Sequence, residues 1–310
     1  MGEGNTFVRA LAQRPTQGSL SYDLQSGELD LQHFYHPAAQ NLHFAATFNL
    51  ADRIDRLTET LPITWINDAP STISDTMYIV IDNEAMLIES IDEANGIIRV
   101  KRGILDTIPE YHAANTVGWI TDGQDGVDET FRAQGDKAHY RFFTNTTRGT
   151  LPFGESTHDE ITLVGRPYRP YPPAAVTISG YRFPEKLNKN SNIYLIWAGR
   201  NRKLANKTFH YWYGSMTPET GVTYGVKVYD PTSDTVYHDE RGITTLNKMI
   251  DVPKVKKDFI LPNTINGLLF HHKFEQVVNG NEFAPVAGSE HGNAKMYESV
   301  GSTNPATPTV

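Results

Sequence analysis

From position 61 onward, apolar residues fall in short runs broken by polar pairs and triplets, the spacing of strands rather than of helices. Ile63-Thr64-Trp65-Ile66 predicts a strand, and Asn67-Asp68-Ala69-Pro70 a turn after it. Residues 77–81, 84–91 and 97–100 predict three more strands, joined by Asp82-Asn83 and by a turn over 92–96. Such short polar joins make a β-meander. Asn95-Gly96 is the strongest turn signal, because both residues tolerate positive φ. Residues 117–121, 137–145 and 160–164 resemble further strands, and the acidic stretch 122–129 between them reads as a loop. The first sixty residues are less legible; 44–48 reads as a strand and 50–57 as a short helix starting near Asn49 or Asp52.

The pattern is interrupted at Gly165-Arg166-Pro167-Tyr168-Arg169-Pro170-Tyr171-Pro172-Pro173. Its prolines fix φ and remove ladder donors, so the segment predicts a semi-rigid joint between domains. Strand patterns resume over 175–179, 192–198, 208–213, 222–229 and 235–238. The alternation in Val222-Thr223-Tyr224-Gly225-Val226-Lys227-Val228-Tyr229 implies one buried and one wet face, as in a sandwich sheet. The expected fold is all-β: an N-terminal meander or barrel-like domain over 1–168, then an immunoglobulin-like, fibronectin type III-like sandwich over 174–250. A C-terminal extension follows over 251–310. It holds possible strands at 259–261, 267–270 and 274–278 and is expected to fray after about residue 288, where Gly, Ser, Thr and Pro dominate. No internal repeat of fixed period is visible.

Composition narrows the function classes. With 14 Phe, 15 Tyr, 24 Gly and 18 Pro in 310 residues, the chain suits many short strands separated by turns. A net charge of -8 argues against a nucleic-acid partner, and the densest basic run, Lys254-Val255-Lys256-Lys257, reads as a solvated loop. The absence of cysteine excludes disulfides, thiolate zinc sites and cysteine nucleophiles, and it suits assembly in a reducing cytoplasm. No signal peptide and no membrane-spanning segment is expected, and the Met1-Gly2 start carries no clear myristoylation signal.

Candidate chemistry is sparse. His33 and His36 lie three apart without a helical frame, and the neighbours His271 and His272 would face opposite sides of a strand. There is no HExxH, GxSxG, Walker loop or GxGxxG. Asp122, Asp125 and Asp128 are spaced by three, unlike the alternating ligands of a calcium loop, so a solvated turn is the plainer reading. Glu84 and Glu89 would sit on opposite faces of one strand. The Asn145-Thr146-Thr147 and Asn206-Lys207-Thr208 triplets match the glycosylation pattern by chance where no leader is expected. No catalytic residue, metal or cofactor is therefore expected.

One phrase is more distinctive. Glu84-Ala85-Met86-Leu87-Ile88, then Ile98-Arg99-Val100-Lys101-Arg102-Gly103-Ile104-Leu105-Asp106-Thr107-Ile108-Pro109-Glu110-Tyr111-His112-Ala113-Ala114, resembles the C-terminal region of tail-tip, hub-type proteins of long-tailed phages and gene transfer agents. Three more phrases follow in that family's order. They are Arg148-Gly149-Thr150-Leu151-Pro152 ahead of the proline joint, Leu195-Ile196-Trp197-Ala198-Gly199-Arg200-Asn201-Arg202, and Pro218-Glu219-Thr220-Gly221-Val222-Thr223-Tyr224. The resemblance covers about residues 75–230; the chain is far shorter than the large hubs and lacks their RDG-x-x-S ending. It implies a non-enzymatic virion protein of the tail tip or baseplate, assembled in the host cytoplasm, oligomeric there and contacting other tail proteins. Its fibronectin-like module would hold Trp197 and Tyr224 in the core. Within the phrase, Arg102 and Asp106 are placed to form a charge-assisted hydrogen bond across a turn, with Gly103, Thr107, Pro109 and His112 ordering the return to the next strand. Two rival functions remain. One is a host-receptor module, binding glycan or pilus through Tyr211, Trp212 and Tyr213; the other is a cell-wall hydrolase. The joint's Tyr168 and Tyr171 are expected as contact residues for tail partners.

Overall fold

The computed structural model describes residues 5–27, 36–67, 69–70, 72–74, 77–121, 126–156, 158–165, 169–184, 192–204, 208–229, 236–250, 275–278, 281–282, 289–291 and 294–298. Among them are antiparallel strands, one 3-10 turn (Phe153–Glu155) and no α-helix, so the chain is all-β. It divides into two compact units. The first comprises Met1–Ile104, Pro109–Tyr168 and Pro285–Val310, and the second Leu105–Ile108 and Arg169–Ala284.

The first unit opens with β1 (Asn5–Ala12), β2 (Ser19–Gly27) and β3 (His36–Leu42). Next come β4 (Ala46–Leu50), β5 (Thr60–Trp65), β6 (Tyr78–Ile81), β7 (Glu84–Asp92), β8 (Ile97–Lys101) and β9 (Val117–Thr121). These six close into a barrel in the order β4-β5-β8-β7-β6-β9. Closure removes the open edges that a sheet otherwise exposes. Alternate residues point inward and fill it: Phe48, Leu50, Leu61, Ile63, Ile79, Ile81, Met86, Ile88, Ile98, Val100 and Ile120 form one buried cluster. Two glycines make the closure possible. Gly96 turns the β7–β8 hairpin at φ 62°, with the Ile63 carbonyl 2.6 Å from where a side chain would begin. Gly118 leaves room for the Phe48 ring, which a Cβ would meet at 2.2 Å.

Four more strands follow: β10 (Gly126–Ala133), β11 (Lys137–Thr146), β12 (Gly149–Thr150) and β13 (His158–Thr162). β11 pairs with β2, β12 and β13, and β2 pairs with β3. β10 pairs with β1. Val8, Ala10 and Ala12 of β1 share one core with Tyr22, Leu24, Ala138, Tyr140, Phe142 and Ile161.

The second unit holds β14 (Ala174–Ile178), β15 (Tyr181–Arg182), β16 (Ile193–Ala198), β17 (Thr223–Tyr229), β18 (Val236–Ile243), β19 (Asn247–Ile250), β20 (Glu275–Val278) and β21 (Asn281–Glu282). They form two four-stranded antiparallel sheets, β15-β14-β16-β19 and β18-β17-β20-β21. One core joins them: Val176, Ile178, Ile193, Leu195 and Trp197 from the first sheet meet Tyr224, Val226 and Ile243 from the second. Back in the first unit, β22 (Ser289–His291) pairs with β23 (Ala294–Glu298), which pairs with β1.

Several expectations need correction. Residues 50–57 form no helix. The Asp55 carboxylate instead accepts from the Leu57 and Thr58 amides and the Thr58 hydroxyl, a local turn that competes with helix. The loop expected over 122–129 becomes strand from Gly126, because Val8 to Ala10 of β1 pair with it; residues 122–125 lie outside the described ones. Residues 208–213 form turns rather than a strand, closed by the Tyr213 amide on the His210 carbonyl. Within the stretch expected to fray after about residue 288, β22 and β23 are strands, and β23 pairs with β1; residues 299–310 lie outside the described ones. The strands expected at 259–261 and 267–270, the Lys254–Lys257 run, His33, His271 and His272 lie outside the described residues.

Candidate functional site

The densest assembly of ionisable groups among the described residues sits at one end of the barrel. Its centre is Glu84, the first residue of β7. Ile81 pairs with Glu84 across the two-residue turn Asp82-Asn83, where Asp82 adopts a left-handed φ of 47°. The pleat directs the Glu84 carboxylate inward, and it is wholly buried. Arg102 directly follows β8 beside it, 1% exposed, and Gly103 at φ 62° turns the chain away. His112 enters on the return segment, bridged to Ile54 by two backbone hydrogen bonds.

Every polar atom at the centre is engaged. Glu84 Oε1 accepts from Arg102 Nε at 2.7 Å and the Gly103 amide at 3.0 Å. Its Oε2 accepts from Arg102 Nη2 at 2.6 Å, the Glu110 amide at 2.9 Å and His112 Nε2 at 2.9 Å. The other Arg102 N–H groups reach backbone: Nη1 donates to the carbonyls of Asp55 (2.6 Å) and Thr58 (2.9 Å), and Nη2 also to that of Glu110 (2.8 Å). The remaining ring nitrogen of His112, Nδ1, donates to Asp82 Oδ2 at 2.7 Å. A bidentate arginine–carboxylate pair with all five guanidinium N–H groups placed is among the strongest geometries available to a buried charge pair.

The charges follow. Burial alone would raise the Glu84 carboxyl, but the Arg102 charge and the bonds from Arg102 and His112 outweigh it and hold the group below the usual carboxylate range. Burial would lower His112, yet its bonds to Asp82 and Glu84 raise it above its ordinary value, and a carboxylate oxygen at each ring nitrogen favours the ring with both nitrogens protonated. Glu110 is raised by burial and by the Glu84 charge.

This arrangement differs from the expected one. Arg102 pairs with Glu84, not with Asp106. Asp106 and Thr107 are buried, and residues 105–108 belong to the second unit. There the Leu105 carbonyl accepts from Arg200 Nη2, and Arg200 is 2% exposed with its guanidinium 5.7 Å from the Tyr171 ring centre. Burial lowers the Arg200 pKa, against the pull of Tyr171, Asp106 and Tyr211. Pro109 is buried on the first unit's return segment.

Arg166, Pro167 and Tyr168 lie outside the described residues, and Arg169 is half-buried. Pro170, Tyr171, Pro172 and Pro173 are buried, with Tyr171 4% exposed, which corrects its expected role as a surface contact. Trp197 and Tyr224 lie in the sandwich core with ring centres 5.3 Å apart. The Tyr211-Trp212-Tyr213 trio is divided. Tyr211 is core, Trp212 is half-buried under the Arg182 guanidinium, and Tyr213 is 56% exposed. Asp128, weighed as a calcium-loop residue, is 2% exposed and accepts from Tyr140 Oη (2.7 Å), Arg132 Nη1 (2.6 Å) and the Thr130 amide. Among the described residues, no group of three His, Asp or Glu side chains is placed to hold a metal.

The sequence reading passed over Asp55, Asp82, Glu110 and the central role of Glu84. The available signal was an acidic residue directly after a two-residue turn, opening an otherwise buried run from Ala85 to Met86. No protein-family model matches the chain, and no curated protein matches it. Among solved structures, the FN1–FN3 domains of chicken CNTN1 align over 96% of this chain and 95% of that one, at 10% identity and a TM-score of 0.18. A likeness at that score carries no argument about fold or function.

Proposed function

We propose that this chain is a structural, non-catalytic component of a phage tail tip or baseplate, holding a defined place through contacts with neighbouring tail proteins. One observation carries the reading: Glu84, Arg102 and His112 have no hydrogen-bonding capacity left for a substrate, since the donors and acceptors of all three are taken up within the fold. A catalytic acid, base or electrophile needs an open position within reach of a reacting atom. A saturated, buried cluster instead rigidifies. Glu84, Arg102, Gly103 and His112 are also residues of the phrase that resembles tail-tip hub proteins, so the resemblance falls on the barrel's internal lock. The receptor-binding alternative is weakened because Tyr211 is a core residue.

The test is co-purification. Particles from the strain that encodes the chain are isolated by density gradient and probed with an antibody to it. The expected result is a fixed stoichiometry per particle and cross-links to other tail proteins. Intact, infectious particles lacking the chain would overturn the proposal. So would turnover of peptidoglycan by the purified protein.

A further inference from the structure

Strand β13 is held to its sheet from one side only. It pairs with β11, from Lys137↔Thr162 to Arg141↔His158, and with no other strand among the described residues. Ala138, Tyr140 and Ile161 face the core, so His139 of β11 and His158 and Glu160 of β13 share the opposite face. His139 is nevertheless 1% exposed, while His158 is exposed.

His139 Nδ1 and His158 Nε2 are 3.1 Å apart, with ring centres 5.2 Å apart and planes within 9° of parallel. Nitrogens that close at that centre separation require the rings to meet edge to edge rather than face to face. Each nitrogen then points at the other. One must carry a proton and donate, and the other must be bare and accept. One added proton makes a single imidazolium that still donates to the neutral ring; a second leaves both facing nitrogens as donors and sets two like charges in contact.

We propose that the His139–His158 pair is an acid-sensitive latch: when both rings are protonated, the N–H···N bond is lost and β13 is released from β11. The surroundings support this direction. Burial keeps the His139 ring below its ordinary pKa, against the pull of Glu160 and aided by His158 and Lys137. The released state therefore binds more protons than the paired state once the pH falls below about 6.5, so pairing is at full strength above that value and weakens below it. Glu160 Oε2 lies 3.7 Å from His139 Nδ1, while Lys137 Nζ bonds Glu160 Oε1 at 2.7 Å and holds that carboxyl below its usual range. Glu160 thus remains ionised through the transition. Arg141, on the same face, is engaged with Ser156. β2 presents uncharged Gly27 and Gln25 opposite His139 and Arg141. Asp159 of β13 is buried on the core face, and β22, which packs against β13, carries Glu290 and His291.

Amide hydrogen exchange on the full chain tests the latch, read at about pH 7.5 and about pH 5 with rates normalised for intrinsic exchange. Peptides covering β13 are expected to lose protection at least about tenfold more than those covering β2, one tenfold step being one pKa unit of differential protonation. His158→Gln keeps a donor and an acceptor but does not titrate, so its β13 protection is expected to be the same at both values. Equal β13 protection in the native protein would overturn the latch. The same acid loss in His158→Gln would also overturn it.

Discussion

Glu84→Gln is the sharpest perturbation of the barrel lock, because it changes neither shape nor volume. The carboxylate has two oxygens, one accepting from two donors and the other from three. Glutamine keeps a single oxygen. Whichever way the amide lies, its NH2 faces two or three N–H groups that have no other acceptor at that position. Arg102, 1% exposed, also loses the carboxylate it pairs with. Breaking a buried pair by removing one charge costs about 3–5 kcal/mol, against roughly 5–15 kcal/mol for the whole stability of a domain. The assay is urea unfolding at neutral pH, followed by hydrogen-exchange protection of β6–β8 so that the first unit is read separately from the second. The midpoint for those strands is expected to fall by an amount equivalent to about 3 kcal/mol or more, with the second unit's sheets unchanged. A loss below about 1 kcal/mol, the scale of an exposed pair, would refute the claim that this cluster locks the barrel.

Three further outcomes follow from the same geometry. His112 is raised above its ordinary value, so its contribution is fully present below about pH 6.5 and is lost as pH rises through the folded-state value; first-unit stability should decline as the pH rises from about 6.5 through that value in the native protein and much less in His112→Gln, as read by denaturation midpoints across pH. Tyr140→Phe removes the 2.7 Å hydrogen bond to buried Asp128 and should lower stability by about 1–2 kcal/mol in chemical unfolding, Arg132 and the Thr130 amide still holding the carboxylate. Gly118→Ala drives a methyl into the Phe48 ring and should cost about 1–3 kcal/mol by the same method, with the Gly118→Ala/Phe48→Leu double variant recovering part of it.

The barrel was legible because its strands obey simple rules. Ile97 to Lys101 alternates across the sheet, Asn95-Gly96 supplies the positive φ, and the runs over β6 and β7 are bounded by polar turns. β1 to β3 were not legible for an equally physical reason. β3 reads His36-Pro37-Ala38-Ala39-Gln40-Asn41-Leu42, with a proline, few β-formers and no alternation, and only pairing with β2 makes it a strand. Residues 208–213 failed in the other direction. Their aromatics suit a strand, but Tyr211 turns into the core and Trp212 is held by Phe183 and Arg182. The site was half legible. Arg102, Gly103 and His112 stood out as residue types, yet the natural partner for Arg102 was sought four residues away. The true partner is eighteen residues away across a hairpin, a proximity that register creates and local spacing conceals.

A buried ion pair can often be replaced by apolar residues of similar volume at little cost, because desolvation offsets much of the attraction. The pair at the end of this barrel should not behave that way. Arg102 donates to the carbonyls of Asp55, Thr58 and Glu110, and Glu84 accepts from the amides of Gly103 and Glu110. These groups belong to turns and return segments, where the ladder does not supply those bonds, and a buried backbone group left unpaired costs about 1–3 kcal/mol. Replacing both residues, as Glu84→Leu/Arg102→Met, removes the charges together but strips five backbone contacts at once. The double variant should therefore lose at least about 4 kcal/mol by urea unfolding of the barrel strands, as much as Glu84→Gln alone or more. If it instead proves as stable as the native protein, the two side chains are only an ion pair that apolar packing can replace, and the barrel's turns are held by something other than Arg102 and Glu84.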